Sequence, residues 1–415
     1  MIDALAGLRA KSRIAEDDLD LLGTFGADGW FLTGPWGTLA AGGCAAVLEL
    51  PAGRAARRGI AAALAEIAHD DPTGIGGAGI VALGALPFDP LSPAVLVVPS
   101  VVVRRTPSGH TTITAIGPGD PDPVLPPLPP ITGVLAPAVL GETMTPSPRG
   151  YEDAVAAATK AIAAGELAKV VLAREVTLTL ESPLDVVAAL RRLSAREPLC
   201  TTYSVPTDEG RFFGASPELL LERHGSAVRS HPLAGTVALD GSAEDARRER
   251  FLEASAKNRD EHLLVVEDIV EALAEEGVEV SAAPRPSLVE LRSIAHLGTE
   301  ITGTVTDPEA DVLDLLAAIV PTPAVGGVPR AAALTLLGEL EPFDRRSWAG
   351  AIGWVDAHGD GRFMLGIRGA HQRGAALVLH AGCGIVAESD PADELEETAV
   401  KLRAVLDVVL PNRSA

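Results

Sequence analysis

The stretch YEDAVAAATKAIAAGELAKVVLARE, residues 151–175, contains the change of pattern that decides the fold class. Its first part predicts an amphipathic helix over Tyr151–Ala164, with one apolar stripe formed by Tyr151, Val155, Ala158 and Ile162. Gly165 ends the helix, and Leu167–Glu175 reads as a strand rich in valine and leucine. The apolar stripe predicts that this helix packs against another part of the structure.

Upstream of this stretch, proline is dense between Gly117 and Gly150, and this run predicts an extended connector. Before the connector, short strands with turn residues accompany one alanine-rich helix, Arg54–His69. After it, long amphipathic helices, one of them over about 256–275, alternate with strands. We therefore expect an α+β fold with its main boundary at the connector.

The apolar stretch from Thr73 to Val103 carries a single charge, Asp89, and tests whether the chain crosses a membrane. Prolines and glycines interrupt it repeatedly, which excludes a spanning helix. Two short buried strands, Ile80–Leu86 and Val95–Val103, fit the pattern better.

Several common functional motifs are missing or misplaced. The segment GIGGAG, residues 74–79, matches GxGxxG but follows a predicted helix and precedes a strand, the reverse of a dinucleotide site. The nine histidines form no HExxH, and no serine lies in GxSxG, so zinc and serine hydrolases are unsupported. The three cysteines form no CxxC pair, which fits a reducing cytoplasm.

The charge balance restricts the partners of the protein. In 415 residues, 56 acidic side chains exceed 34 basic ones, for a net charge of −22. Such a surface repels nucleic acid and anionic membranes, and the N-terminus shows no export signal. We expect a cytoplasmic monomer that binds neither nucleic acid nor membrane, and any anionic substrate then needs a local basic pocket.

Lys169 lies in the middle of the predicted strand with apolar neighbours on both faces. Burial of an ammonium group is costly and favours the neutral amine, which can act as a base. The alternative is a lysine on an edge strand whose ammonium group extends into water.

Glu218, in FFGASPELLLER, enters an apolar run after Ser216 and Pro217. Burial raises the pKa of a carboxyl group and lets it donate a proton at neutral pH. The alternative is an exposed glutamate at the start of a strand.

The segment SDPADELEETAVKLRAVL, residues 389–406, predicts a helix that begins at Ser389 or Asp390. Glu394, Glu397 and Lys401 share one face of it because they are three and four residues apart. Two carboxylates on one face are suitable oxygen ligands for Mg²⁺, whereas a solvated acidic face is the simpler interpretation.

The segments around these residues resemble the chorismate-utilising enzymes, the family of isochorismate, salicylate, anthranilate and aminodeoxychorismate synthases. The similar runs cover about Tyr151–Leu410 in family order: KVVLARE, GASPELLL, HPLAGTV, KNRDEHLLVVEDI, LRSIAHLGTEITG, PTPAVGG, WAGAIGWVDAHGDGRFMLGIRGA and AGCGIVAESDPADELEETAVKL. The resemblance implies an α+β sandwich of two large antiparallel sheets with helices packed outside. It also implies that residues 1–145 are a variable part of the same domain and residues 146–415 the chorismate-binding catalytic part.

The resemblance further assigns roles at the site. It implies Lys169 and Glu218 as base and acid, and Arg368 as the ligand of the enolpyruvyl carboxylate of chorismate. It places Mg²⁺ among Glu261, Glu394 and Glu397. It implies substrate contacts from Gly235, Thr236, His296, Ala324, Gly382, Gly384 and Lys401.

Three positions distinguish members of the family. Ala234 stands where similar aminodeoxychorismate synthases have a nucleophilic lysine, and Lys169 is typical of members that add water, which needs a base. Ala324, in AVGG, stands where salicylate and anthranilate synthases have threonine. We therefore predict Mg²⁺-dependent conversion of chorismate to isochorismate, with salicylate formation as the alternative.

Overall fold

The computed structural model describes residues 2–15, 19–53, 59–73, 79–130 and 133–411. The start of the predicted helix Arg54–His69 and all of GIGGAG except Gly79 lie outside these ranges. A short 3₁₀ helix, Ile2–Leu5, precedes the first strand.

The described strands are numbered in chain order as β1 Leu8–Ile14, β2 Trp30–Gly34, β3 Gly37–Gly42, β4 Ala46–Leu50, β5 Ala68–Asp70, β6 Val81–Leu86, β7 Ala94–Val98, β8 Val101–Arg105, β9 Thr111–Pro118, β10 Val139–Thr145, β11 Lys169–Leu180, β12 Thr201–Thr207, β13 Gly210–Ser216, β14 Leu219–His224, β15 Ala227–His231, β16 Leu233–Ala238, β17 Val278–Ala282, β18 Ser287–Glu290, β19 Ile294–Gly298, β20 Ile301–Val305, β21 Gly327–Val328, β22 Ala351–Asp356, β23 Gly361–Leu365, β24 Gly369–Arg373 and β25 Ala376–Ile385. The described α-helices are α1 Leu21–Phe25, α2 Ile60–Ala65, α3 Pro148–Ala163, α4 Val186–Arg196, α5 Asp245–Ala254, α6 Ala256–Glu275, α7 Val312–Ile319, α8 Arg330–Leu340 and α9 Pro391–Val409.

The described strands form two large sheets and a small one. The first sheet has the order β10-β11-β25-β24-β13-β12-β2-β3-β8-β9-β1-β5, with β21 beside β11. The second sheet is β17-β20-β15-β14-β23-β22-β6-β7-β4, and the small sheet is β16-β19-β18. Antiparallel pairing dominates, although β1 and β5 are parallel. These sheets confirm the predicted α+β architecture.

Both large sheets contribute to one core. The largest buried cluster combines Leu32 and Leu39 of the first sheet with Leu83 and Val355 of the second. Helices α3 and α4 both contact α9, which packs on β25. None of the helices in the described ranges is both long and apolar enough to cross a lipid bilayer.

The elements of the opening stretch form where the pattern predicts them. Helix α3 begins three residues early, because the Ser147 side chain accepts a hydrogen bond from the Gly150 amide and caps the first turn. Strand β11 begins at Lys169 and continues to Leu180, since β10 and β25 pair with its two sides. The predicted helix over 256–275 is α6.

Two of the predicted elements, one strand and one helix, were wrong in their extent. The stretch Val95–Val103 is two strands, because the chain leaves the second sheet after β7 and enters the first at β8, with Pro99 between them. The helix expected to reach His69 ends at Ala65, and Ala68–Asp70 pairs with β1 instead. In both cases long-range strand pairing overrides the local pattern.

The proline-rich segment is an extended connector over its first part. The described residues of 119–138 form neither helix nor strand, apart from one bridge between Val134 and Leu184. The remainder forms β10 and the start of α3. Strands from before and after the connector lie in both large sheets.

Candidate active site

A cavity of about 110 Å³, here called the front cavity, brings together segments that are far apart in the sequence. Its wall comes from β16, β19, β25, α6 and α9, and from the loops before β14, β21 and β24. Twelve of the thirteen predicted site residues line it, namely Glu218, Gly235, Thr236, Glu261, His296, Ala324, Arg368, Gly382, Gly384, Glu394, Glu397 and Lys401.

Lys169, the thirteenth predicted residue, is buried beside this wall. Its side chain is 1% exposed, and its Nζ lies 3.0 Å from Oε1 of Glu261. At the start of β11, Lys169 pairs with Val328 of β21 on one side of the strand. On the other side, Val170 pairs with Ile385 of β25. The edge-strand alternative is therefore wrong, because a strand covers each side of β11 here.

Gly384 of β25 makes room for the Lys169–Glu261 pair. A Cβ at this position would overlap Oε1 of Glu261 and lie 2.9 Å from Cε of Lys169. Only glycine leaves the space in which the lysine and the carboxylate meet.

Glu218 is buried in the loop between β13 and β14, so the exposed alternative is wrong for it as well. Burial raises the pKa of its carboxyl group to about 8, although a hydrogen bond from the Leu233 backbone and the charges of Arg368 and Lys169 oppose the rise. Its Oε1 has no hydrogen-bond partner among the described residues. The carboxyl group is thus mostly protonated at neutral pH and can donate its proton.

A chain of hydrogen bonds orients Arg368. Nδ1 of His296 lies 2.9 Å from the carbonyl oxygen of Gly235, and Nε2 lies 3.0 Å from Nη2 of Arg368. A carbonyl oxygen only accepts hydrogen bonds and a guanidinium group only donates them. Nδ1 of His296 therefore carries the ring proton, and Nε2 accepts a hydrogen bond from Arg368. Burial, with the charge of Arg368 adding to it, lowers the pKa of His296 to about 3 and keeps the ring neutral.

Gly235 needs to be glycine for two reasons. Its φ of 72° lies in the left-handed region, and a Cβ there would lie 3.3 Å from Cβ of Asn258 and from Cδ1 of Leu252. The irregularity at Gly235 in β16 presents the carbonyl that His296 binds. Asn258 also lines the front cavity, and nothing in the sequence distinguished it.

Helix α9 presents the acidic group that its spacing predicts. Glu394 is buried and Glu397 is one-third exposed. A carboxylate oxygen of each and the Cys383 sulfur all lie within 4.8 Å of one another. Lys401 places its Nζ 2.6 Å from Oε1 of Glu397 and 2.9 Å from the Gly382 carbonyl oxygen. The alternative interpretation, a solvated acidic face, is therefore wrong for this helix.

Glu261, the third predicted metal ligand, lies outside that group and pairs with Lys169. It nevertheless faces the same cavity from α6. The structure thus groups two of the three predicted carboxylates on α9 and pairs the third, on α6, with Lys169 in the same wall.

Arg345 supports the site from behind and was missed from the sequence. Its guanidinium donates to Glu341, to the carbonyl oxygen of Val325 at 2.7 Å and to that of Val171 at 2.6 Å. Glu341 also accepts from the Ala173 amide at 2.8 Å. The i, i+4 spacing of Glu341 and Arg345 indicates an ion pair but not that the pair is buried under the cavity wall.

The comparisons with known proteins agree with this geometry. The family model described as "chorismate binding enzyme" matches residues 135–410. A Mycobacterium tuberculosis protein named MenF is 42% identical over 339 residues, which cover 79% of this chain and 85% of that protein. Isochorismate synthase EntC of Escherichia coli K12 is 32% identical over 399 residues, 95% of this chain and 98% of its own length.

The solved structures agree as well. The solved structure of MenF, the menaquinone-specific isochorismate synthase of Escherichia coli, superimposes with a TM-score of 0.83 at 28% identity, over 97% of this chain and 95% of that one. The matched family covers the site residues from Lys169 to Lys401. The chain therefore belongs to the family of chorismate-binding enzymes.

Proposed function

We propose that this enzyme is an isochorismate synthase, which converts chorismate reversibly to isochorismate with Mg²⁺. The observation that carries the proposal is a pair of buried groups at one site. Glu218 is buried in the cavity wall, which raises its pKa to about 8, and Lys169 is buried next to Glu261 of the same wall. The names of the EntC and MenF relatives from Escherichia coli support the same reaction and do not favour salicylate synthesis.

The reaction requires one acid and one base. Lys169 takes a proton from the water whose oxygen bonds to C2 of the ring, and the double bonds shift. The bond between C4 and its hydroxyl oxygen breaks, and Glu218 supplies the proton with which that oxygen leaves as water. In the reverse direction the two residues exchange roles.

Substrate orientation relies on the cations of the wall. Arg368, aligned by neutral His296, binds the carboxylate of the enolpyruvyl arm. Lys401 adds positive charge beside Gly382. Gly235 and Gly384 line the front cavity and bring backbone groups close to the substrate.

The donor set fits Mg²⁺. Carboxylate oxygens are the ligands that this cation prefers, and Glu394, Glu397 and Glu261 all line the front cavity. Bound there, Mg²⁺ would neutralise the carboxylates and polarise the ring carboxylate of chorismate. Glu261, whose Oε1 lies 3.0 Å from Nζ of Lys169, would connect the cation to the base.

The decisive experiment is incubation of the protein with chorismate and Mg²⁺, with separation of the products by chromatography. We expect isochorismate, little salicylate, and no anthranilate when ammonium is supplied. Ala324 supports this product because it has no hydroxyl to hold the enolpyruvyl arm against the ring. Stoichiometric release of pyruvate with salicylate would contradict the proposal.

A further inference from the structure

A second cavity, of about 530 Å³ and here called the rear cavity, lies on the other side of Glu218. Pro217 and Glu218 line both cavities, so one short loop separates them. The rear cavity reaches the surface, since Leu199 and Glu300 in its wall are largely exposed.

The wall of the rear cavity suits water better than an ionic ligand. Its hydroxyl-bearing side chains are Thr201, Ser216 and Ser287. Its charged groups pair with each other: Arg229 lies 2.7 Å from Glu300, and Arg362 lies 2.7 Å from Glu222. A roomy polar cavity with neutralised charges holds water and offers no uncompensated charge for an anion or a metal.

The proposed reaction creates a need for such a passage. Each turnover forms a water molecule at the acid, and it leaves Glu218 without a proton and Lys169 with one. Substrate or product occupies the front cavity at that moment, which obstructs exchange through that side. Glu218 must nevertheless regain a proton from solvent before the next forward turnover.

We infer that the rear cavity is a water passage that carries the departing C4 hydroxyl, as water, and the proton of Glu218 between the active site and bulk solvent. The inference rests on the proposed function. Three features support it: Glu218 lies in the dividing wall, its Oε1 has no hydrogen-bond partner among the described residues, and the cavity behind it is polar and open.

Thr201 is the position at which the passage can be narrowed. It is buried in the rear wall, does not line the front cavity, and accepts a hydrogen bond from the Trp36 indole at 3.1 Å. The guanidinium groups of Arg104 and Arg362 contact the indole, 4.8 Å and 5.2 Å from the centre of the Trp36 ring. A larger side chain at Thr201 therefore meets a firmly held wall and extends into the cavity.

The test uses the whole enzyme with chorismate and Mg²⁺ in water enriched in ¹⁸O. Isochorismate acquires ¹⁸O at C2 in every case. Before released isochorismate can rebind, chorismate acquires ¹⁸O at C4 only when the departing water exchanges with solvent while isochorismate is still bound and the reaction then reverses. Mass spectrometry at early times gives the ratio of labelled chorismate to isochorismate, which does not depend on the overall rate.

For the wild-type enzyme we expect labelled chorismate before free isochorismate accumulates. Thr201→Phe should lower the ratio by about tenfold, whereas Thr201→Val, which keeps the shape of threonine, should leave it unchanged. Ser287→Trp at the exposed rim repeats the test at a site that tolerates bulk, with Ser287→Ala as its control.

Absence of label in wild-type chorismate would overturn the inference, as would equal ratios in Thr201→Phe, Ser287→Trp and wild type. An equal loss in Thr201→Val would also overturn it, because volume would then not be the cause. Failure of the proposed function looks different, since no C2-labelled isochorismate would form in any variant.

Discussion

The Lys169 side chain illustrates how strongly one residue depends on its surroundings. It is among the largest fully buried side chains of the described protein, and its ammonium group meets the carboxylate of Glu261 in a space that Gly384 leaves open. A buried charge without such a partner is strongly destabilising. The position is thus maintained by chemistry and not by packing alone.

Lys169→Gln should fold normally and lose isochorismate formation by about 10² or more, because general-base catalysis contributes that much. The measurement is initial rate against chorismate concentration, with circular dichroism to confirm folding. Lys160→Gln, at an exposed position of α3, is the matched control and should behave as wild type. Near-normal turnover in a folded Lys169→Gln variant would contradict the assignment of the base.

Glu218→Gln should retain chorismate binding and lose turnover, since the amide keeps the shape but has no acidic proton. Because the pKa of Glu218 is raised to about 8, the acid form dominates below that pH. Forward turnover by the wild-type enzyme should therefore fall as the pH rises through about 8, and residual turnover of the variant should lack this limb. Loss of binding in Glu218→Gln, but not in the exposed control Glu166→Gln, would make Glu218 a structural residue.

Chelation by EDTA should abolish activity, and added Mg²⁺ should restore it. Glu397→Gln and Glu261→Gln should raise the Mg²⁺ concentration needed for half-maximal rate by about tenfold or more, as loss of a metal contact does. Glu396→Gln, two-thirds exposed on the same helix, is the control. Ca²⁺ should substitute poorly because its bonds to oxygen are longer. Activity that resists chelators would refute the carboxylate site.

At the scale of elements, the site depends on supports that hold strands and loops at fixed positions. Arg345 ties the loop before β21, through Val325, to β11, through Val171. The guanidinium also lies 4.3 Å from the Phe88 ring centre and 5.2 Å from that of Trp348. The two aromatic rings and the buried Glu341 fix the guanidinium in place, so the loop that bears Ala324 keeps its distance from Lys169.

Arg345→Met should lower the free energy of unfolding by about 3–5 kcal/mol, because Glu341 stays buried without its partner. Urea denaturation followed by tryptophan fluorescence measures this change. Arg403→Met removes an exposed ion pair with Glu396 and should cost less than about 1 kcal/mol. Equal small losses in both variants would show that the buried network contributes little.

At the scale of the whole molecule, the two parts of the chain are interleaved. In the first sheet β12 of the second part pairs with β2 of the first, and in the second sheet β22 pairs with β6. All six residues of β22 are buried. The N-terminal strands therefore complete the sheets that contain Lys169 and that flank the loop of Glu218.

Residues 135–415 expressed alone should fail to fold to a soluble monomer, because β12 and β22 would become unprotected sheet edges with exposed apolar faces. Size-exclusion chromatography and circular dichroism test this, with the full chain as control. A soluble, folded and active fragment would show that residues 1–134 form a separate unit.

Much of the site was predictable because its chemistry is local. The helical spacing of Glu394, Glu397 and Lys401 is visible in the sequence, and so is a lysine inside an apolar strand. The resemblance to a known family then identified twelve of the residues that line the front cavity. Arg345 and Asn258 were not predictable, because an arginine or asparagine in the sequence carries no mark of the distant backbone that it contacts.

The sequence by itself determined the fold class, the elements α3, α6, α9 and β11, and the types of residue available for chemistry. Hydrophobic periodicity and helix capping depend on residues that are close together in the chain. Only the tertiary structure decided that β7 and β8 enter different sheets, that Glu261 pairs with Lys169, and that Glu218 lines two cavities. These outcomes depend on burial and pairing between segments far apart in the chain, and a local pattern does not encode which distant partner satisfies a buried charge.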